Sequence, residues 1–334
     1  MGRRHKPRRG SLGFWPRKRA ISPVPRLKTW PRGPAKPHLE DFAGYKVGMT
    51  HAVVVDYRKR STTAGQEVAI PVTVVETPPI KVAAARLYRG GPNGWRISGE
   101  LWAPELDERL ARRRTLPNDA PSSEKREAFA KAPGQEVRVL VHTQPHLVTG
   151  IPSKTPDLFE VRVSGENFEE RKKWAIEQLG KEVDFPSFAK AGDMVDVIAV
   201  TRGRGFQGHI KRFHVKLQPR KNSKHRRMIG TLGPHNPSFV TYRIPQAGQM
   251  GYHRRTEYNK RILKVVGDSK SDPIKISGGF LRYGEVRNGY TVLHGSLPGP
   301  SKRVVRMRLP IRFRGLVPEK VELRYISSAS KQGS

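Results

Sequence analysis

There is no cysteine in the chain. That excludes a disulfide framework, a thiolate zinc site and an iron–sulfur cluster. Long apolar runs are missing too. The longest uncharged one, 68–75, is eight residues and contains a proline, whereas a membrane-spanning helix needs roughly 20 apolar residues. The basic N-terminus is not followed by an apolar core, so it does not read as a secretory signal. Apolar residues are scarce, at 36%, below the roughly 45–50% of an ordinary globular chain, a range that also counts glycine. Acids are missing where it matters most: between Asp196 and Glu257 there is none.

What is present is positive charge. The 334 residues carry 64 Lys/Arg against 29 Asp/Glu, a formal net charge of +35. Residues 1–38 hold +12 without one acid, 39–200 are neutral, 201–264 hold +15 and 265–334 hold +8. A solvated face mixes signs, because like charges repel. Charge of this size opposes compaction unless something anionic neutralises it. A polyanionic partner, nucleic acid above all, is the better account of two almost purely cationic segments.

The length suits two domains, or one large domain with extensions. Residues 1–38 read as an extended tail, because seven prolines there disfavour helix and sheet alike. Phe14, Trp15 and Trp30 lie among its basic residues, placed either to stack on RNA bases or to dock on the protein's own core. The neutral region reads as strands over 45–57, 67–76, 80–88, 136–142, 158–163 and 193–201, rich in Val and Ala and bounded by turn residues. Helices are expected over 104–114, with Leu106 and Leu110 at i and i+4, over 123–132, and over 166–179, with Phe168, Ala175, Ile176 and Leu179 on one face and Gly180 as the stop. Residues 261–266 read as a strand. In 303–314, Val305, Met307, Leu309, Ile311 and Phe313 alternate with Arg306, Arg308, Pro310, Arg312 and Arg314, a strand with its apolar face inward and its arginines outward. The whole implies a mainly β, mostly antiparallel core with helical insertions, closing into a small barrel. The basic stretch 203–260 lacks periodicity and projects from it as a loop. Each arm of about 25–30 residues spans at most on the order of 80–100 Å when extended. A loop with no core of its own is ordered by its partner.

Three motifs point elsewhere and fail. Gly203, Gly205 and Gly208 match the dinucleotide fingerprint, which also needs an amphipathic helix and an acid about 20 residues on; no acid follows until Glu257. His209, His214, His225, His235 and His253 share the basic segment but lack the carboxylate or thiolate partners of a zinc or hydrolase site. The pairs Asp107–Glu108 and Glu169–Glu170 lie in Arg- and Lys-rich helices, where surface ion pairing explains them. Neither catalysis, metal nor cofactor is expected.

Arg9–Arg19 (RGSLGFWPRKR), Val195–Gly208 (VDVIAVTRGRGFQG) and above all Gly248–Arg261 (GQMGYHRRTEYNKR) resemble the large-subunit ribosomal protein L-three family, and the tail and inserted helices are similar to its archaeal and eukaryotic branch. The resemblance runs essentially from residue 5 to residue 325. It implies a six-stranded, translation-factor-like β-barrel over 39–202 and 261–334 with an inserted α/β region over about 90–190, a basic N-terminal extension, 1–38, and a basic central finger, 203–260. It implies large-subunit ribosomal RNA as partner, with neighbouring large-subunit proteins and, indirectly, A-site tRNA. It places the chain, in single copy, in the cytoplasmic ribosome, joining the subunit early in assembly, with the finger reaching toward the peptidyl transferase centre. The expected RNA-binding residues are Arg8, Arg9, Trp15, Arg17, Lys18 and Arg19 in the tail. In and beside the finger they are Arg202, Arg204, Lys211, Arg212, His214, Lys216, Arg220, Lys221, Lys224, His225, Arg226, Arg227, His235, Gln249, Tyr252, His253, Arg254, Arg255 and Lys260. The tip is Gly230, Thr231, Leu232, Gly233, Pro234, His235 and Asn236. Relatives often carry Trp at His235, whose imidazole offers less stacking area, and His214 matches a histidine that eukaryotic relatives methylate.

Other classes remain to be separated. A general nucleic-acid chaperone shares the charge but prefers no RNA, and the large neutral region argues against it. An RNA-acting enzyme needs a carboxylate cluster or cofactor pocket beside the basic segment. A peripheral membrane protein needs its cations on an amphipathic helix.

Overall fold

The computed structural model describes residues 11–31, 33–58, 60–117, 121–313 and 320–332. Two compact units emerge. The smaller takes the described residues up to Ser22 and Val200–Arg255; the larger takes those of Pro23–Ala199 and from Thr256 on.

Longer strands, in chain order, are β1 (Asp41–Val55), β2 (Glu67–Glu76), β3 (Ile80–Gly91), β4 (Gly94–Trp102), β5 (Glu136–His142), β6 (Leu158–Ser164), β7 (Met194–Val200), β8 (Arg254–Val266), β9 (Tyr290–His294), β10 (Val304–Arg308) and β11 (Leu323–Ile326). The fold is mainly β, as composition and periodicity imply. One sheet runs β10-β7-β8-β9-β2-β1-β11, and β10 also pairs with β1. The second runs β6-β5-β3-β4, with His38–Leu39 on the outer side of β6 and Glu182–Val183 beside β3. Both sheets are Val- and Ala-rich because these side chains fit a close-packed pleated face. Val72, Val74, Val75, Val197, Ala199, Val292 and Leu293 are fully buried in the first; Val82, Ala84, Ala85, Val137, Val139, Val141 and Val161 are in the second.

Two helices cover the second sheet, α1 (Ser123–Lys131) and α2 (Phe168–Glu177). Each starts where a side chain satisfies an orphan amide: Ser122 Oγ accepts from Lys125 N, and Asn167 Oδ1 accepts from Glu169 N. Ala175 packs inward, and the buried Lys172 of α2 donates to the Ala130 carbonyl at 2.7 Å. The helix expected over 104–114 is instead a short 3-10 helix, Glu108–Arg112. Leu110 is buried but Leu106 only partly so, and one apolar anchor does not hold a longer helix.

The arginine face expected on 303–314 is the largest correction. The strand is short, and Arg306 and Arg308 are only 2% and 3% exposed. Register explains it. Arg308 faces Asp41 of β1 on one side and Asp196 of β7 on the other. Asp41 takes Arg306 Nε at 2.7 Å, and Asp196 takes Arg308 Nη2 at 2.8 Å. The remaining guanidinium donors find carbonyls: Arg306 reaches Pro25 and Glu160, and Arg308 reaches Thr29. Residues 23–31 are thus held within the larger unit, with Pro25, Leu27 and Pro31 buried. Arg312 instead lies exposed, its guanidinium 4.7 Å from the centre of the Tyr258 ring. Arg314 lies outside the described residues.

A second charge network lies on the other sheet. Arg86 of β3, Arg138 of β5 and Arg162 of β6 are register neighbours. Glutamates separate these like charges: Arg86 pairs with Glu100 and Glu160, Arg138 with Glu136, and Arg162 with Glu40 at 3.5 Å. Burial pushes Glu40 up to about 7, against the pull of Arg162.

Removing one partner of a buried ion pair leaves an uncompensated charge. Arg306→Met is therefore expected to destabilise the chain by about 3–5 kcal/mol, and adding Asp41→Asn to recover much of it, in denaturant unfolding. For Glu40 the sign follows from its raised pKa. The folded state keeps a proton that the unfolded chain has lost, so this contribution is full below about pH 4.5 and is lost as pH rises through about 7. Glu40→Gln should therefore leave stability near wild type at pH 4 and raise it by on the order of 3 kcal/mol at pH 8. A pH-independent difference would contradict this.

Candidate nucleic-acid interface

The smaller unit is a purely cationic object. Of the 64 Lys/Arg, 21 fall in 1–22 and 200–255, which contain no Asp or Glu. It has no apolar core among its described residues; apart from Val200 at its boundary, only His253 is buried. Backbone ladders and stacked side chains hold it together.

The base of the loop is a narrow antiparallel ladder. Thr201 N donates to the His253 carbonyl, Tyr252 N to Arg202, Arg204 N to Met250 and Met250 N to Gly205, at 2.9–3.2 Å. Phe206 and Gln207 then pair with Gln249 and Gly248. Gly251 closes this ladder at φ +70°, and a Cβ there would lie 2.1 Å from the Arg202 carbonyl oxygen, so only glycine fits. Of the glycines at 203, 205 and 208, only Gly205 takes a positive φ, +67°, and its carbonyl belongs to this ladder. The helix after them, His209–Phe213, has five residues and ends at His214 in the left-handed conformation, too short for a dinucleotide site.

Several of the side chains expected at the RNA brace the loop itself. Arg212 donates to the Gln249 and Gln246 carbonyls at 3.0 and 2.9 Å. Arg17 Nη1 donates to the Arg212 carbonyl at 2.8 Å, and its guanidinium lies 4.1 Å from the Phe213 ring centre. Trp15 stacks on Phe213 at 5.1 Å and meets Tyr242 edge-on at 6.2 Å. Among the tail aromatics, Trp15 thus lies against rings of the loop itself. His253 Nδ1 lies 2.8 Å from the Lys18 carbonyl. Burial pushes its imidazole pKa down, and because a carbonyl oxygen only accepts, Nδ1–H is the donor. Gln249 Nε2 donates to the Gly251 carbonyl. Arg255 lies over Phe14 at 4.7 Å, and Arg19 over Tyr252 at 5.4 Å. Burial, and then Arg17, hold Arg212 and Arg255 below the usual guanidinium range. Lys260 belongs to β8 in the larger unit, paired with Glu257 at 2.6 Å.

The outward cations are a distinct set. Lys18, Arg19, Arg202, Arg204, Lys211, Lys216, Arg220, Lys221, Lys224, Arg226, Arg227, Arg243 and Arg254 are exposed, with His214 and His225 among them. The segment Gln218–Arg226 folds back on itself, Gln218 N donating to the Arg226 carbonyl at 2.9 Å. The expected tip, Gly230, Thr231, Leu232, Gly233, Pro234, His235 and Asn236, is exposed throughout. Arg8 and Arg9 lie outside the described residues. Sequence reasoning misses Phe206, Phe239 and Tyr242, exposed by 76%, 69% and 62%. Large aromatics in a segment without apolar periodicity are the signal for them.

Among the described residues, no group of three His, Asp or Glu side chains could hold a metal ion, and no helix is long and apolar enough to cross a membrane. Comparison with known proteins decides the family. The family model for ribosomal protein L3 matches residues 1–136 and 122–333. The chain belongs to the ribosomal protein L3 family. Among curated relatives, the large ribosomal subunit proteins uL3 of Picrophilus torridus and Archaeoglobus fulgidus are each 49% identical, over 100% of both chains and over 98% of this chain and 99% of that relative, respectively. That of Thermoplasma acidophilum is 46% identical over the full length of both. These L3 relatives are archaeal and are named as ribosomal proteins, not as enzymes.

For this L3 chain, Gly251→Ala should open the ladder without unfolding the valine-rich sheet. Amide exchange at Arg204, Met250 and Tyr252 is expected to speed about tenfold or more, from left-handed strain and the clash, while Val74 and Val292 stay protected. Unchanged exchange at Met250 would contradict the geometry.

Proposed function

We propose that the chain is a structural constituent of the large ribosomal subunit that binds 23S-type ribosomal RNA through its smaller unit. The observation that carries this is the separation of charge: the smaller unit holds 21 cations and no carboxylate, and thirteen of the described cations are exposed. Phosphates supply affinity through counterion release, and specificity comes from RNA shape and unstacked bases. Within this reading the braces, Trp15, Arg17, Arg212, Gln249, His253 and Arg255, set the loop's shape. The outward set, Lys211, Lys216, Arg220, Lys221, Lys224, Arg226 and Arg227 with Arg202, Arg204 and Arg254, takes phosphates. Tyr252, His214, His225 and His235, with Phe206 and Phe239, offer rings to bases.

The finger, bounded at about 200 and 255, reaches toward the peptidyl transferase centre with Gly230–Asn236 foremost, and through the RNA it influences how aminoacyl-tRNA settles in the A site. The chain joins the subunit early in assembly, in single copy, beside other large-subunit proteins of the cytoplasmic ribosome. The pairing of β10 with both β7 and β1 supports a closed six-stranded barrel, β10-β7-β8-β9-β2-β1, as the scaffold.

Replacing Lys216, Arg220, Lys221, Lys224, Arg226 and Arg227 by Gln tests the reading in a salt titration of binding to large-subunit RNA. Each phosphate left without its cation should lower the log–log slope by about 0.7 to 0.9, so by about 4 to 5 for all six. An unchanged slope would remove these residues from the interface. Equal affinity for unrelated RNAs would favour a general chaperone.

A further inference from the structure

The β3–β4 hairpin lies in the segment whose net charge is zero, and its tip departs from that average. Residues 89–97 contain two arginines and no acid. Arg89 and Arg96 stand directly opposite each other across the two strands. Both are exposed, and neither has an ion-pair partner among the described residues. Like charges directly opposite on neighbouring strands destabilise the pair. Elsewhere on the same sheet the Arg86–Arg138–Arg162 row is interleaved with glutamates at every step. At the tip that neutralisation is missing.

The opposite face of the tip carries an aromatic plane. Gly90 faces Trp95, and a Cβ on Gly90 would touch the Trp95 ring at 3.6 Å. The indole therefore lies over the glycine, one side seated on backbone and the rest in solvent, 54% exposed. Ile97 follows on the same face, 51% exposed. Gln135 Oε1 accepts from Gly90 N at 3.1 Å and fixes the strand beneath the ring. β4 is the outer strand of its sheet, so both faces and the edge of the tip are open.

We propose that this tip is a second RNA-binding element, separate from the basic loop. A single-stranded or looped segment of RNA wraps the free edge of β4, with a phosphate between Arg89 and Arg96 and an unstacked base on Trp95. A phosphate supplies the anion that the arginine pair lacks, and every base offers a π-face to an indole. An apolar partner surface would cover Trp95 and Ile97 but leave the arginine pair unneutralised. The inference rests on the RNA-binding reading above and adds a site to it.

The test compares four purified full-length chains for binding to large-subunit RNA across a salt series, with melting of each free chain. These are wild type, Arg89→Gln/Arg96→Gln, Trp95→Ala, and the sixfold loop variant. The arginine double variant should lower the log–log slope by about 0.7, for the one phosphate lost, while melting at or above the wild-type temperature, because the unpaired like charges are gone. Trp95→Ala should weaken binding roughly tenfold or more with the slope unchanged. Hairpin variants that bind as wild type, while the loop variant loses affinity, would overturn this site and leave the broader reading standing. Weaker binding with a lower melting temperature and an unchanged slope for the arginine variant would also overturn it, as a purely structural effect. If the loop variant too bound as wild type, the broader reading would fall, and this inference with it.

Discussion

Two ion pairs on one short strand organise the larger unit. Arg306 and Arg308 are buried, and each needs a carboxylate from a different neighbouring strand, Asp41 from β1 and Asp196 from β7. A buried charge without its partner costs several kcal/mol, so β10 is held between those two strands and in that register. The same guanidiniums capture the carbonyls of Pro25 and Thr29, which seats residues 23–31. Asp196 also accepts from the amides of Asn259 and Ile311, tying β8 and the chain after β10 to the same point.

The carboxylates are concentrated where arginines are buried or crowded: Asp41 and Asp196 in one sheet, Glu40, Glu100, Glu136 and Glu160 in the other. The smaller unit contains none. Its guanidiniums are satisfied by carbonyls and aromatic faces, as with Arg17 and Arg212, which meets their hydrogen-bonding needs but leaves their charge in place. Self-repulsion in such a unit is relieved only from outside. This is the physical link between the fold and a polyanionic partner. The larger unit holds all 29 carboxylates against 43 Lys/Arg, and the smaller one holds none against 21.

Much of the fold was legible because strand periodicity and turn residues act locally. The strands over 67–76, 136–142 and 158–163, and the helices behind Ser122 and Asn167, follow from such signals. The outward arginine face was misread because alternation separates two faces without saying whether the second is covered. The available signal was the complementary one: Asp41 and Asp196 are acids inside apolar strands, and such acids need cations. The basic loop was legible from composition alone. Its internal division was not. A guanidinium that braces a carbonyl, as Arg212 does, and one that faces solvent, as Arg220 does, look alike in a segment without apolar periodicity. Only the folded ladder from Thr201 to His253 separates them.

The central claim is that the acid-free unit is completed by ribosomal RNA. Ultraviolet crosslinking in living cells, with sequencing of the attached RNA and identification of the attached peptides, addresses it most directly. Crosslinks confined to a few large-subunit RNA sites, carried by peptides from 1–22 and 200–255, are the predicted result. Crosslinks scattered over many messenger and transfer RNAs would contradict it.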